Sequence, residues 1–217
     1  MRIATLLAIC AMSLSLMAED EKKFELPKPD AEGWISAFNG KDLDGWYGEA
    51  SVFSVDNGEI VGKSATGLKR NEFLKSKFEV GDFRLMLQVK LTPNKENSGI
   101  QFRSVPHAGH EMKGYQADAG AGWWGKLYEE SGRALLWKVG GEDVVKVDDW
   151  NTYEIVAVGD TILTAINGKK CVDLDDPKGA KKGIFGLQLH SGGPAEVRFK
   201  NLKLQLDPKA ELTTVKK

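Results

Sequence analysis

The sequence predicts an all-β protein, a β-sandwich of the jelly-roll kind with two packed antiparallel sheets. No stretch between residues 33 and 206 repeats its apolar residues with the 3.6-residue period of a helix. Many short segments instead alternate polar and apolar residues, or are rich in β-branched and aromatic ones. About a dozen strands in one domain need two sheets or a closed barrel to hide their apolar faces, and the sandwich is the simpler solution.

Residues 1–18 are predicted to be a secretory signal peptide. Arg2 precedes an apolar run over residues 3–17, and the small Ala18 is followed by charged residues. The run is short for a membrane span and has the basic start and small end of an export signal. We therefore expect a periplasmic or secreted protein with no stable membrane span.

The rest of the chain is predicted to form one domain between two short arms. Residues 19–32 are charged and contain prolines, so they are predicted to be a polar N-terminal arm. Residues 33–206 are long enough to bury one core and are predicted to be a single jelly-roll domain. Residues 207–217 are predicted to be a polar tail.

Two hairpins and five longer strands are predicted within the domain. Asn57-Gly58 and Asn167-Gly168 each separate two β-rich segments, which is typical of two-residue turns with positive φ at both positions. The longer predicted strands are residues 83–91, 98–104, 152–158, 184–190 and 196–206.

Several predicted strands carry planar polar side chains on the face opposite their apolar residues. Ile100 and Phe102 alternate with polar residues, and residues 115–118 and 186–190 show the same alternation. The side chains on the polar faces are Gln101, Arg103, Gln116, Asp118, Gln188 and His190. This set contains no Lys or Glu and suits a network of sugar hydroxyls or an oxyanion, which favours a ligand-binding face over a merely solvated one.

A glycine-rich segment adds aromatic residues and carboxylates. Consecutive Trp123 and Trp124 cannot both be buried on one strand face, so at least one is expected to line a cleft and stack on a sugar, although both could instead fill loop and core. The neighbouring Glu129 and Glu130 point oppositely on a strand, so at most one faces the same site.

Other classes of function have weak support in the sequence. The 30 basic and 31 acidic residues give a net charge of -1 without a basic stripe, which argues against a nucleic-acid binder. His107, His110 and Glu111 follow a proline and include a glycine, so they are expected in a loop and no metal site is predicted there.

Taken together, the motifs resemble the family described as 3-keto-disaccharide hydrolases, or 3-keto-glucoside lyase/hydratases. The resemblance covers roughly residues 33–206, with Gly114 where many members carry an acidic residue. The matching motifs are GWISAFNGKDL over residues 33–43, NSGIQFR over 97–103, GYQAD over 114–118, WWGKLYEES over 123–131, WNTYEI over 150–155 and GLQLH over 186–190.

The resemblance implies a concanavalin-like jelly roll and an enzyme that cleaves 3-keto-glycosides by C2 proton abstraction, elimination at C1 and hydration. It implies that Asp118 or Glu129 acts as base or acid, and that His190 is a second proton-transfer group. Arg103 with Gln116 would hold the enolate oxygen, a bound divalent cation being the open alternative to Arg103. The remaining implied contacts to the sugar are those of Gln101, Gln188, Tyr128 and the stacking Trp124.

Two alternatives stay open. A non-catalytic, lectin-like carbohydrate-binding module would use the same face and the same tryptophans. An ordinary retaining glycoside hydrolase is disfavoured, because the sequence lacks a strand that presents two carboxylates close together.

Overall fold

The computed structural model describes residues 24–215, so the predicted signal peptide and the start of the N-terminal arm lie outside the described residues. The described chain forms strands and two short 3₁₀ turns, Ala108–His110 and Glu142–Val144. The strands are β1 (Ile35–Ser36), β2 (Trp46–Tyr47), β3 (Phe53–Asp56), β4 (Glu59–Ser64), β5 (Glu72–Val80), β6 (Phe83–Thr92), β7 (Asn97–Pro106), β8 (Met112–Gly120), β9 (Leu127–Glu130), β10 (Ala134–Trp137), β11 (Asn151–Val158), β12 (Thr161–Ile166), β13 (Lys169–Asp175), β14 (Gly183–Leu189) and β15 (Ala195–Leu206).

These strands form two antiparallel sheets. The eight-stranded sheet has the order β13-β12-β11-β6-β15-β4-β3, with β1 paired to β15, and the seven-stranded sheet has the order β10-β9-β8-β7-β14-β5-β2. Consecutive strands form part of each sheet, and the other neighbours are distant in sequence, so the chain passes between the layers. The architecture is the predicted concanavalin-like jelly-roll sandwich.

The core lies between the two sheets because each long strand alternates buried apolar residues with residues on its outer face. On β6, Phe83, Leu85 and Leu87 are buried and belong to the core. The Phe83 and Phe185 rings meet edge to face across the layers, with centroids 4.9 Å apart.

The predicted hairpins and long strands are confirmed. Asn57 and Gly58 have φ of 51° and 77°, and they connect β3 to β4. Asn167 and Gly168 have φ of 49° and 85° between β12 and β13. The five longer strands lie within two residues of their predicted bounds.

The described parts of both arms, residues 24–32 and 207–215, contact the sandwich. In the N-terminal arm, the Phe24 ring lies 5.9 Å from the Phe78 ring, so the arm carries an apolar contact in addition to its charges. In the tail, Thr213 and Thr214 donate hydrogen bonds to the buried carboxylate of Glu154. No helix among residues 24–215 has the length and hydropathy needed to cross a membrane.

Candidate functional site

A cavity of about 310 Å³ opens on the outer face of the seven-stranded sheet. Strand register assembles it: β8 pairs Gln116 with Tyr128 of β9, and the nearby Gly99 of β7 pairs with Asp118. Side chains of paired residues share a sheet face, so alternate residues of neighbouring strands converge. The lining residues are Asn71, Asn97, Gln116, Asp118, Trp123, Tyr128, Glu130 and His190.

Asp118 is the most buried carboxylate in the cavity wall, with 2% of the residue exposed. Its Oδ1 accepts a hydrogen bond of 2.8 Å from Gln116 Nε2, whereas its Oδ2 has no partner among the described residues. Burial raises the pKa of Asp118 to about 7, and the charge of Glu130 adds to this effect against the opposing influence of Gln116 and Lys126. A carboxyl with one free oxygen and this pKa can both accept and donate a proton near neutral pH.

A series of buried hydrogen bonds leads to Asp118 along one face of the seven-stranded sheet. Ser104 Oγ donates to Gln101 Oε1 at 2.6 Å, and Gln101 Nε2 donates to Gln116 Oε1 at 3.0 Å. Space for the Gln116 amide comes from Gly99, because a Cβ there would lie 2.6 Å from Gln116 Cγ. Gln101, predicted to contact substrate, is fully buried below the cavity and does not line it.

The aromatic wall of the cavity consists of Trp123 and Tyr128. Their rings meet edge to face with centroids 6.2 Å apart, and 38% of Trp123 is exposed. Lys126 Nζ lies 5.0 Å from the Trp123 ring.

Trp124, the predicted stacking residue, lies elsewhere. It is 1% exposed, belongs to the core, and donates from Nε1 to Asn94 Oδ1 at 2.7 Å. The tight turn after Gly120, in which the amides of both tryptophans donate to the Gly120 carbonyl, directs one ring outward and the other inward. Trp123 therefore occupies the position at the cavity that was predicted for Trp124.

Of the adjacent glutamates, the structure brings Glu130 rather than Glu129 to the cavity. Glu130 is two residues from Tyr128 and shares its face, and burial together with the charge of Glu111 raises the pKa of Glu130. Glu129 pairs in register with Tyr115 and binds Arg133 Nε at 2.6 Å, which lowers the pKa of Glu129.

Arg103 is not brought to the cavity. The register of β7 against β8 shifts after Phe102, and Arg103 has a φ of 46° in this irregular segment, which redirects its side chain. Its guanidinium donates to the Gly159 carbonyl and to Asp82 Oδ1, both at 2.8 Å. Arg103 therefore links turns at one end of the sandwich, and its predicted contact with an enolate oxygen does not fit this position.

His190 lines the cavity, whereas Gln188, two residues earlier on the same face, is buried beneath it. His190 Nδ1 lies 2.6 Å from the Ser191 carbonyl, so Nδ1 carries a proton and Nε2 of the neutral ring is free to accept one. Both amide atoms of Gln188 have no partner within residues 24–215.

Asn71 and Asn97 line the cavity without having been predicted to do so. Trp123 and Glu130 were each expected as one of an adjacent pair, but the other member of the pair was chosen for the site. Glu130 could have been found from its spacing of two from Tyr128. Asn71 is held by accepting from the Ser191 amide at 2.9 Å and donating to Glu111, a contact between distant segments that has no signal in the sequence.

The cavity does not match a resident metal site. No group of three or more His, Cys, Asp or Glu side chains among the described residues could hold a metal ion. The divalent cation left open as an electrophile therefore has no ready-made cluster of three such ligands within residues 24–215. The His107–His110 segment is an exposed 3₁₀ turn in which His110 lies 3.9 Å from Glu72.

The jelly-roll sandwich and its polar cavity with an aromatic wall define a carbohydrate-active protein. The chain belongs to the family of 3-keto-alpha-glucoside-1,2-lyase-like domains, whose model matches residues 33–205. No curated protein matches the chain in sequence.

Solved structures share the fold. A candidate glycosyl hydrolase from Parabacteroides distasonis is 18% identical with a TM-score of 0.62, over 81% of this chain and 94% of that one. Carbohydrate-binding module CBM66 from Bacillus subtilis is 17% identical with a TM-score of 0.58, over 73% of this chain and 94% of the module. A Bacillus subtilis protein with a galectin-like fold is 8% identical with a TM-score of 0.57, over 75% of this chain and 90% of that chain.

Proposed function

We propose that this protein is an exported enzyme that cleaves 3-keto-glycosides by elimination and hydration. The observation that carries the proposal is Asp118, a buried carboxyl with a pKa of about 7 and a free Oδ2 at a cavity with an aromatic wall. Membership of the lyase-like family supports the same chemistry.

The first half-reaction needs a base at C2 and an acid at the leaving oxygen. A ketone at C3 acidifies the C2 hydrogen, which Asp118 Oδ2 removes to give an enolate. When the C3 carbonyl re-forms, a C1–C2 double bond forms and the C1–O bond breaks. The two carboxyls interact, since the charge of Glu130 raises the pKa of Asp118. The reactive form is the one in which their shared proton lies on Glu130, which gives it to the departing oxygen.

The second half-reaction restores both carboxyls. Water adds to C1 and gives a proton to the Glu130 carboxylate, while C2 regains a proton from Asp118. His190 accepts a hydrogen bond from a sugar hydroxyl at Nε2, because Nδ1 is committed to the Ser191 carbonyl. The sum is hydrolysis of the glycosidic bond with the protein unchanged.

The enolate oxygen needs a positive charge or hydrogen-bond donors. Lys126 is placed for this task, because its backbone accepts from the Asp118 amide, its Nζ lies against Trp123, and its charge acts on Asp118. The Asn97 amide lines the same cavity and supplies a second donor. These two residues take the role that the sequence assigned to Arg103.

The test is incubation of the purified protein in D₂O with 3-keto-trehalose, 3-keto-sucrose and an aryl 3-keto-glucoside, followed by NMR. We expect loss of the ketosugar and deuterium at C2 of the product, while the unoxidised parent glycosides are unchanged. The incubation is repeated with EDTA, and the rate should stay the same because the proposal places Lys126 and Asn97, not a cation, at the enolate oxygen. Unchanged spectra for all three ketosugars would refute the proposed activity.

A non-catalytic carbohydrate-binding module is the second candidate, favoured by the exposed Trp123 beside Tyr128 and by the likeness to CBM66. It predicts saturable calorimetric binding of an unoxidised glycan, loss of that binding in Trp123→Ala, and no consumption of any ketosugar. Consumption with deuterium at C2 decides for the enzyme.

Export is proposed from the signal-like residues 1–18. When the full chain is expressed in a Gram-negative host, the periplasmic fraction should contain a protein whose mass places its first residue near Glu19. An uncleaved protein confined to the cytoplasm would contradict the proposed location.

A further inference from the structure

The hydrogen bonds that end at Asp118 have a direction. Each link has its donor on the Ser104 side: a hydroxyl donates to Gln101, whose Nε2 donates to Gln116, whose Nε2 donates to Asp118. The Ser104 hydroxyl lies closer to Gln101 Oε1, at 2.6 Å, than to the carbonyl oxygens of Phe102 and Tyr115, at 2.9 and 3.4 Å.

We propose that Ser104 and Gln101 are positioning residues that hold the Gln116 amide with its NH₂ group toward Asp118. Both residues are buried and neither lines the cavity, so they act through Gln116 and do not contact substrate. The positioning of Gln116 does not depend on the proposed function. Only the effect of this positioning on turnover rests on that function.

The direction matters because an amide has a donor end and an acceptor end. When Gln116 presents its NH₂ group, Asp118 is satisfied as a carboxylate, with Oδ1 occupied and Oδ2 free. If Gln116 rotated and presented Oε1, only a protonated Asp118 could donate to it. The series of hydrogen bonds from Ser104 therefore favours the ionised carboxylate of Asp118, which is the form that can remove a proton.

Other charged and polar groups lie around Asp118. From β9 and the turn before it come Glu130 and Lys126, and from the segment after β14 comes His190, which lines the same cavity. From β11, the Tyr153 hydroxyl donates to the Asp118 backbone carbonyl at 3.1 Å. Glu111 acts on Glu130. None of these groups is altered by changes at Ser104 or Gln101.

The test follows the carboxyl of Asp118 by ¹³C NMR across pH in wild type, Ser104→Ala and Gln101→Leu. Loss of an oriented donor to a charged group should raise the Asp118 midpoint by roughly one pH unit in Gln101→Leu and by less in Ser104→Ala. Gln188→Leu is the matched control. It removes a buried Gln on the same sheet face that takes no part in the hydrogen bonds from Ser104 to Asp118, so the Asp118 midpoint should equal that of wild type.

Kinetics on a 3-keto-glucoside supply the second readout. The acidic limb of kcat/KM should move upward with the NMR midpoint, and activity should recover at high pH, which a merely structural defect would not do. If Gln101→Leu does not fold, Ser104→Ala decides alone. Folded variants in which Asp118 titrates at the wild-type pH would overturn the positioning role, whereas an inactive wild type would overturn the proposed function only.

Discussion

Trp123 and Trp124 are adjacent in sequence but lie in different environments. Removal of Trp124 should therefore affect stability, and removal of Trp123 should affect substrate binding. Trp124→Ala empties a buried core position and should lower the free energy of unfolding by about 3–5 kcal/mol. Trp123→Ala removes an exposed cavity wall and should change stability by less than about 1 kcal/mol while raising KM. Urea unfolding and steady-state kinetics on both variants check this; equal stability losses would contradict the assignment.

Glu129 and Glu130 offer a second matched pair at the residue scale. Glu130→Gln removes the proposed acid and should lower kcat by roughly 10²–10⁴-fold. Glu129→Gln loses a partly exposed ion pair with Arg133, so it should cost about 1 kcal/mol or less of stability and retain its kcat. Initial rates normalised to folded protein distinguish them, and a larger kcat loss in Glu129→Gln would reverse the two roles.

At the scale of elements, the sequence was sufficient for two hairpins and five long strands, whereas β5 was not predicted and only residues 115–118 of β8 were recognised. The positive φ values required by the turns at Asn57 and Asn167 could be read from the Asn-Gly pairs, and alternation placed Gln116 and Asp118 on one face. Arg103 escaped the same reasoning because an irregular register in β7 breaks the period of two, and nothing in the residues 102–105 marks it. β7, β8 and β9 are consecutive neighbours, but the pairing of β14 with β7, which brings His190 to the cavity, is long-range. The complete cavity could therefore not be assembled from sequence.

The irregular segment of β7 leads to a prediction about Arg103. Its guanidinium binds the Gly81 and Gly159 carbonyls and Asp82, and so connects the β5–β6 and β11–β12 turns. Arg103→Met should lower the free energy of unfolding by roughly 1.5–3 kcal/mol, because the hydrogen bonds of a buried guanidinium to a half-exposed carboxylate and two turn carbonyls are lost. Below the melting temperature its kcat/KM should match that of wild type.

Chemical denaturation and kinetics on the same preparation separate stability from chemistry here. Arg103→Lys keeps the charge without the planar fork and should recover only part of the lost stability. If a folded Arg103→Met protein lost its turnover, Arg103 would have a catalytic role and its assignment to the turns alone would be wrong.

At the scale of the whole molecule, the two sheets differ in how they pair the buried carboxylate on their outer face. The eight-stranded sheet buries its outer-face carboxylate Glu154 with Arg84, Thr213 and Thr214 as partners, which lowers the pKa of Glu154 in spite of burial. The seven-stranded sheet instead leaves Asp118 Oδ2 without a partner. The carboxylate of Glu154 is therefore fully paired, whereas Asp118 retains an unpaired oxygen where the proposed chemistry needs it.

This difference predicts that Asp118 reduces stability as pH rises. Its pKa is about 7 in the folded protein against an ordinary value of 3.8, so the folded state binds the proton more tightly. Ionisation therefore destabilises the fold progressively between about pH 4 and pH 7, by at most roughly 4 kcal/mol. Asp118→Asn cannot ionise, so its stability relative to wild type should increase from pH 5 to pH 8, while its turnover is lost. Urea unfolding of both proteins at the two pH values measures the difference; if it were the same at both, Asp118 would titrate as an ordinary carboxyl and could not be the base poised near neutral pH.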